Sequence, residues 1–95
     1  APAKFEIGSK VSNSTISAGC RIRGTVTGSI LGRNVIIERG AVVRDSIVME
    51  GCIVKEGSVV EHAIVDRSNI IPAGTELRGT SEEILIQRKN NKRVA

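Results

Sequence analysis

The chain is nearly devoid of aromatic surface. Phe5 is the one aromatic among 95 residues, and Trp and Tyr are missing. No stacking platform for bases or sugar rings is therefore expected. Histidine and methionine occur once each, as His62 and Met49, and proline and cysteine twice each. A single histidine cannot supply the three ligands of a catalytic His-rich zinc site, so no metal site is expected. No apolar run approaches the roughly 20 residues that span a membrane, and no signal peptide precedes the patterned region. No P-loop, G-x-S-x-G motif or supported pair of carboxylates occurs, so no catalytic residue and no bound cofactor are assigned to this chain. With its only methionine in mid-chain, the chain is expected to be a piece of a longer protein.

Charge is unevenly placed. Residues 1–83 hold ten acids and ten bases, so the net +4 comes from Arg88, Lys89, Lys92 and Arg93. Basic ends can bind nucleic acid or anionic lipid. Without interleaved aromatics or a binding motif, this one reads as a solvated terminus, and neither nucleic acid nor membrane is expected as a partner.

What is present is a repeat. Thirteen branched aliphatics recur at intervals of four to six: Val11, Ile16, Ile22, Val26, Leu31, Ile37, Val43, Val48, Val54, Val60, Val65, Ile71 and Leu77. Two positions before each stands a companion, in most cases small, such as Ser29, Ala41, Ser46, Cys52, Ser58 or Ala63. Residues two apart share a strand face. Each pair therefore points inward from one short strand, and the chain turns a corner before the next. Every third aliphatic (Val11, Val26, Val43, Val60, Leu77) is separated by 15, 17, 17 and 17 residues. Three strands make a coil and the coils stack, about 4.8 Å apart. The first coil is two residues short, which demands a tighter corner at Arg23–Gly24. Gly19, Gly40, Gly51, Gly57 and Gly74 precede core aliphatics, where corners need unusual backbone angles. The spacing predicts an all-β protein, a parallel β-helix of about four coils over 11–79. Residues 1–10 read as a linker, and 80–95 as a C-terminal strand (Ile84–Ile86) with a basic tail.

The register also assigns the outer surface. Ile30, Ile47 and Ile64 form one outward stripe, Ile36, Ile53 and Ile70 a second, and Val42 and Val59 a shorter third. A strand apolar on both sides is normally covered on both sides, so at least one stripe is expected to be an interface. Arg33, Glu50 and Arg67 fall in one corner column, where the two arginines are candidate contacts for a phosphate dianion. Cys20 and Cys52 occupy one inward column two coils apart, too far for a disulfide, and are expected as buried free thiols in a cytoplasmic protein. His62, just before the inward Ala63, is expected at an outer corner. It keeps open the alternative of a hexapeptide-repeat acyltransferase with one histidine as general base.

Several segments beyond the repeat carry a resemblance. Ala1-Pro-Ala-Lys-Phe, Gly8-Ser-Lys-Val-Ser-Asn-Ser, Gly19-Cys-Arg-Ile-Arg-Gly-Thr-Val, Gly40-Ala-Val-Val-Arg-Asp-Ser-Ile-Val-Met and Ile70-Ile-Pro-Ala-Gly-Thr are similar to the C-terminal domain of ADP-glucose pyrophosphorylase (glucose-1-phosphate adenylyltransferase). The similarity runs from residue 1 to about 79 and includes the short first coil. It implies a left-handed hexapeptide-repeat β-helix behind an absent N-terminal catalytic domain, which binds ATP and Mg and makes ADP-glucose from glucose 1-phosphate. It also implies a homo- or hetero-tetramer with a catalytic subunit and a sugar-phosphate effector. The ending Arg78-Gly-Thr-Ser-Glu-Glu-Ile-Leu-Ile-Gln-Arg-Lys looks more like the regulatory companion subunit of glycogen biosynthesis in Gram-positive bacteria than like the catalytic one. Other sugar-nucleotide pyrophosphorylases carry similar solenoids and remain an alternative. The stripe Ile30, Ile47, Ile64 is expected to dock the absent domain, with Arg33 and Arg67 at the seam.

Overall fold

A computed structural model describes residues 1–89 of the chain. The part of the basic tail beyond Lys89 lies outside the described residues. Within them, every regular element is a short parallel strand, and the strands fall into three five-stranded sheets. Sheet A stacks Lys4–Phe5, Arg21–Ile22, Ile36–Ile37, Ile53–Val54 and Ile70–Ile71. Sheet B stacks Lys10–Ser12, Thr25–Thr27, Val42–Arg44, Val59–Glu61 and Glu76–Arg78. Sheet C stacks Thr15–Ile16, Ile30–Leu31, Ile47–Val48, Ala63–Val65 and Leu85–Gln87. The chain visits A, B and C in turn, so each strand pairs with its equivalent one coil away. The result is a parallel β-helix of the hexapeptide-repeat kind, as the spacing predicts.

The core is the inward set. Ile22, Ile37 and Val54 stack under sheet A, Val26, Val43 and Val60 under sheet B, and Leu31, Val48 and Val65 under sheet C, all fully buried. At about 1.5–3 kcal/mol per buried Val, Leu or Ile side chain, these columns supply the main driving force for coil stacking. The companions fill the space between them. Cys20, Val35, Ala41 and Cys52 are equally buried. The serine companions add hydrogen bonds: Ser29 Oγ and Ser46 Oγ donate to Thr27 O and Arg44 O (2.8 and 2.7 Å). Each also accepts a backbone N–H from the next coil, Ser46 N–H onto Ser29 and Ala63 N–H onto Ser46, both at 3.1 Å.

Corners carry residues with positive φ. Besides glycines, Asn13, Asp45 and His62 (φ 47, 48 and 47) turn from sheet B to sheet C, and Asn34 and Ser68 (φ 59 and 58) from C to A. Asn, Asp and His are the non-glycine residues that best tolerate this region. The shortened corner falls at Arg23–Gly24, between the Arg21–Ile22 and Thr25–Thr27 strands. A Cβ at Gly24 would collide with the carbonyl oxygens of Ala41 and Glu38, so the tight corner requires glycine for close approach rather than for φ.

Both ends differ from the expected boundaries. Within the segment read as a linker, Lys4–Phe5 pairs with Arg21–Ile22; Phe5 precedes Ile22 by 17 residues, one full coil, but as an aromatic it falls outside the aliphatic series. The final strand is Leu85–Gln87 rather than 84–86. Leu85 takes the inward column of Ala63, and the extra residues before it form a turn closed by Thr80 N–H to Glu83 O at 2.9 Å.

Candidate functional site

The two outward isoleucine stripes flank one corner, that between sheets C and A. On sheet C, strand pairing aligns Thr15, Ile30, Ile47, Ile64 and Ile86 in one outward column. Ile30, Ile47 and Ile86 are 50%, 39% and 59% exposed. The stripe is therefore four isoleucines deep, one more than the sequence reading found, because the last strand after the longer turn restores the register. On sheet A, Arg21, Ile36, Ile53 and Ile70 align; Ile36 and Ile53 are half-buried and Ile70 is exposed.

The corner column stands as the register requires. Gly51 N–H donates to Arg33 O and Ser68 N–H to Glu50 O, both at 2.9 Å, which puts Arg33, Glu50 and Arg67 on successive coils. All three side chains are exposed, and none pairs with another described residue. A shallow groove of about 360 Å³ runs beside this column and is lined by Ile30, Gly32, Arg33, Ile47, Met49 and Glu50. It brings Arg33 next to the isoleucine stripe. Arg67, two coils from Arg33, does not line it. A phosphate in the groove would meet one guanidinium from this chain, with Glu50 opposing it.

Ion pairs on other surfaces hold a second set of titratable groups. Hydrogen bonds from Arg21 and Arg23 (both 3.0 Å) hold the Glu6 carboxyl below the usual carboxylate range. On sheet B, Arg78 (2.8 Å) and Arg44 (3.5 Å) do the same for Glu61, and Arg78 is itself raised by Glu76 and Glu61. His62 sits at the B–C corner, one coil above Asp45, with Nε2 3.7 Å from Asp45 Oδ2. The sequence pattern places His62 at a corner, and the 17-residue coil puts Asp45 beneath it. Cys20 and Cys52 are free and buried, with Sγ–H donating to Gly32 O (3.1 Å) and Asp66 O (3.0 Å). Burial pushes both thiols up. Among the described residues no cluster of three His, Cys, Asp or Glu side chains could hold a metal, and no helix is long and apolar enough to cross a membrane.

A three-sided parallel solenoid with a paired small and large residue per strand and an apolar outer stripe defines a hexapeptide-repeat domain. The chain belongs to the family described as GlmU-like, C-terminal hexapeptide, whose model matches residues 1–84. It is also similar to proteins named glucose-1-phosphate adenylyltransferase. The similarity is 45% identity over 74 residues, or 77% of this chain, to that of Corynebacterium jeikeium (strain K411). To that of Streptomyces coelicolor it is 53% over 45 residues, or 47% of this chain. The matched stretches make up 18% and 11% of those relatives; the chain spans less than a fifth of their length.

Proposed function

We propose that this chain is the C-terminal β-helix domain of a glucose-1-phosphate adenylyltransferase subunit in glycogen biosynthesis. The observation that carries this reading is the 45% identity, across 77% of the chain, to the C. jeikeium protein of that name. In this reading a preceding nucleotidyltransferase domain, with ATP and Mg, joins ATP and glucose 1-phosphate into ADP-glucose and pyrophosphate. The β-helix contributes no reacting group. It docks that domain through the sheet C stripe, takes part in a cytoplasmic homo- or hetero-tetramer, and transmits a sugar-phosphate signal. The Glu-rich turn, short terminal strand and basic end favour the regulatory companion subunit over the catalytic one.

Arg33 and Arg67 are the proposed effector contacts. The exposed, unpaired Arg33 beside the isoleucine groove supports that role more strongly than Arg67, because a docked domain over Ile30 and Ile47 would exclude water around its guanidinium. The test uses the full-length subunit with its partner. Arg33→Ala is expected to weaken sugar-phosphate activation about tenfold and Arg67→Ala less, with unactivated turnover intact in both. An unchanged response in both variants removes these arginines from the effector site. Ile47→Glu is expected to abolish docking, read as loss of co-purification when the two domains are expressed as separate chains.

One observation favours a second reading. The His62–Asp45 pair could orient an imidazole as a general base for acyl transfer. A groove of about 310 Å³, lined by Arg78, Gly79, Thr80, Glu83, Ile84 and Leu85, borders this corner, since the Leu85 N–H donates to His62 O at 3.0 Å.

A further inference from the structure

Sheet A carries a second, differently built outer face. Its third and fourth strands present Ile36 and Ile53, paired directly across the ladder. Each strand is followed by two charged residues at the A–B corner, Glu38-Arg39 after the first and Lys55-Glu56 after the second. Gly57 N–H donates to Arg39 O (3.2 Å) and Gly74 N–H to Glu56 O (2.9 Å), so these corners stack in register. The column signs therefore alternate from one coil to the next: Glu38 beneath Lys55, and Arg39 beneath Glu56. At the opposite edge Arg33 and Glu50 alternate in the same way. None of these side chains forms an ion pair with another described residue, although Glu6, Arg21, Arg23, Arg44, Glu61, Glu76 and Arg78 all do.

This arrangement is self-complementary under one operation. A two-fold axis parallel to the strands, lying over sheet A midway between Ile36 and Ile53, reverses the coil order and keeps each edge facing the same edge of the copy. Ile36 then meets Ile53 of the second copy and Ile53 meets Ile36. Glu38 meets Lys55, Arg39 meets Glu56, and each pair occurs twice by symmetry. The charges that flank Ile36 and Ile53 all face opposite signs, Arg21 meets the exposed Ile70, and the half-buried isoleucines lose their remaining water. We infer that sheet A is the interface of an antiparallel, face-to-face dimer between two copies of this chain. The inference stands on this chain's own charges and not on the adenylyltransferase reading, and it leaves the sheet C stripe free.

Sedimentation equilibrium of the 95-residue chain across a concentration series tests it. The wild type should show a reversible dimer that weakens as salt is added. Glu38→Lys with Glu56→Arg makes the edge wholly basic, and Arg39→Glu with Lys55→Glu makes it wholly acidic. Each double variant should weaken self-association about tenfold or more, and mixing the two should restore a dimer. A monomeric wild type, a dimer indifferent to both double variants, or mixed variants that fail to pair would each overturn the inference. Disulfide trapping gives an independent readout should a charge variant misfold. Ile36→Cys mixed with Ile53→Cys should cross-link to each other in preference to themselves, and prevailing self-cross-links would overturn the proposed axis.

Discussion

Ser46 Oγ accepts the N–H of Ala63, one coil further on, at 3.1 Å while donating to Arg44 O at 2.7 Å. Ser46 is 4% exposed, so the two hydrogen bonds are made away from water. Ser14 and Ser29 accept the next coil's N–H in the same way, which explains the run of hydroxyls in this column before Ala63 and Leu85. Ser46→Ala keeps the volume nearly unchanged but leaves the Ala63 N–H without that partner. We expect a loss of about 1–3 kcal/mol, read in urea unfolding with an unchanged m-value. An unaltered midpoint would show that the ladder contributes nothing beyond packing.

The short first coil gives a sharper contrast. At Gly24 a Cβ meets backbone carbonyls, whereas at Gly57 it meets open space but with φ +70. Gly57→Ala should cost about 1–2 kcal/mol through strain in the left-handed region. Gly24→Ala should cost more, because backbone atoms cannot step aside as a side chain can. Thermal melts in which Gly24→Ala is the milder variant would contradict the described corner.

The inside–outside register has its own test. Val54 is fully buried and its neighbour Ile53 faces outward and is half-buried. Val54→Asp places an unpaired charge in the core and should destabilise by about 4 kcal/mol. Ile53→Asp should be milder at low protein concentration. The reverse ranking would move every side chain to the other face.

That register was legible because the pattern is strict: a buried aliphatic and a companion two residues earlier, repeated with one defect. The defect itself located Gly24. Phe5 and Leu85 were missed as inward residues for different reasons. Phe5 is not aliphatic and, at the end of the stack, is 54% exposed; Leu85 follows an insertion that breaks the 17-residue count. The outward stripes followed from the same alternation, but pairings between surface side chains did not. Asp45 and His62 stand 17 residues apart at equivalent corners, so the register stacks them, but the spacing of aliphatics does not show that the two side chains turn toward each other. The proposed effector role was the least legible, since the register put Arg33 and Arg67 in one column but could not show that only Arg33 lines the groove.

Burial makes a further prediction about the thiols. Burial holds both thiols above the ordinary cysteine range, chiefly by desolvation. A folded value raised above the unfolded one means that this contribution to stability is present below about pH 9 and is lost as pH climbs through the folded value. Native protein at neutral pH should react with a thiol reagent only at the rate of unfolding, and both thiols should react at once in denaturant. Rapid labelling of either cysteine in the native state would place it at the surface.

In the proposed reading this β-helix supports and regulates chemistry carried out elsewhere. The most direct measurement is an activity assay of the purified 95-residue chain with ATP, glucose 1-phosphate and Mg, and separately with acetyl-CoA and amino-sugar acceptors. Neither ADP-glucose synthesis nor acetyl transfer is expected. Acetyl transfer that disappears in His62→Ala would contradict this reading and identify the His62–Asp45 corner as a catalytic site.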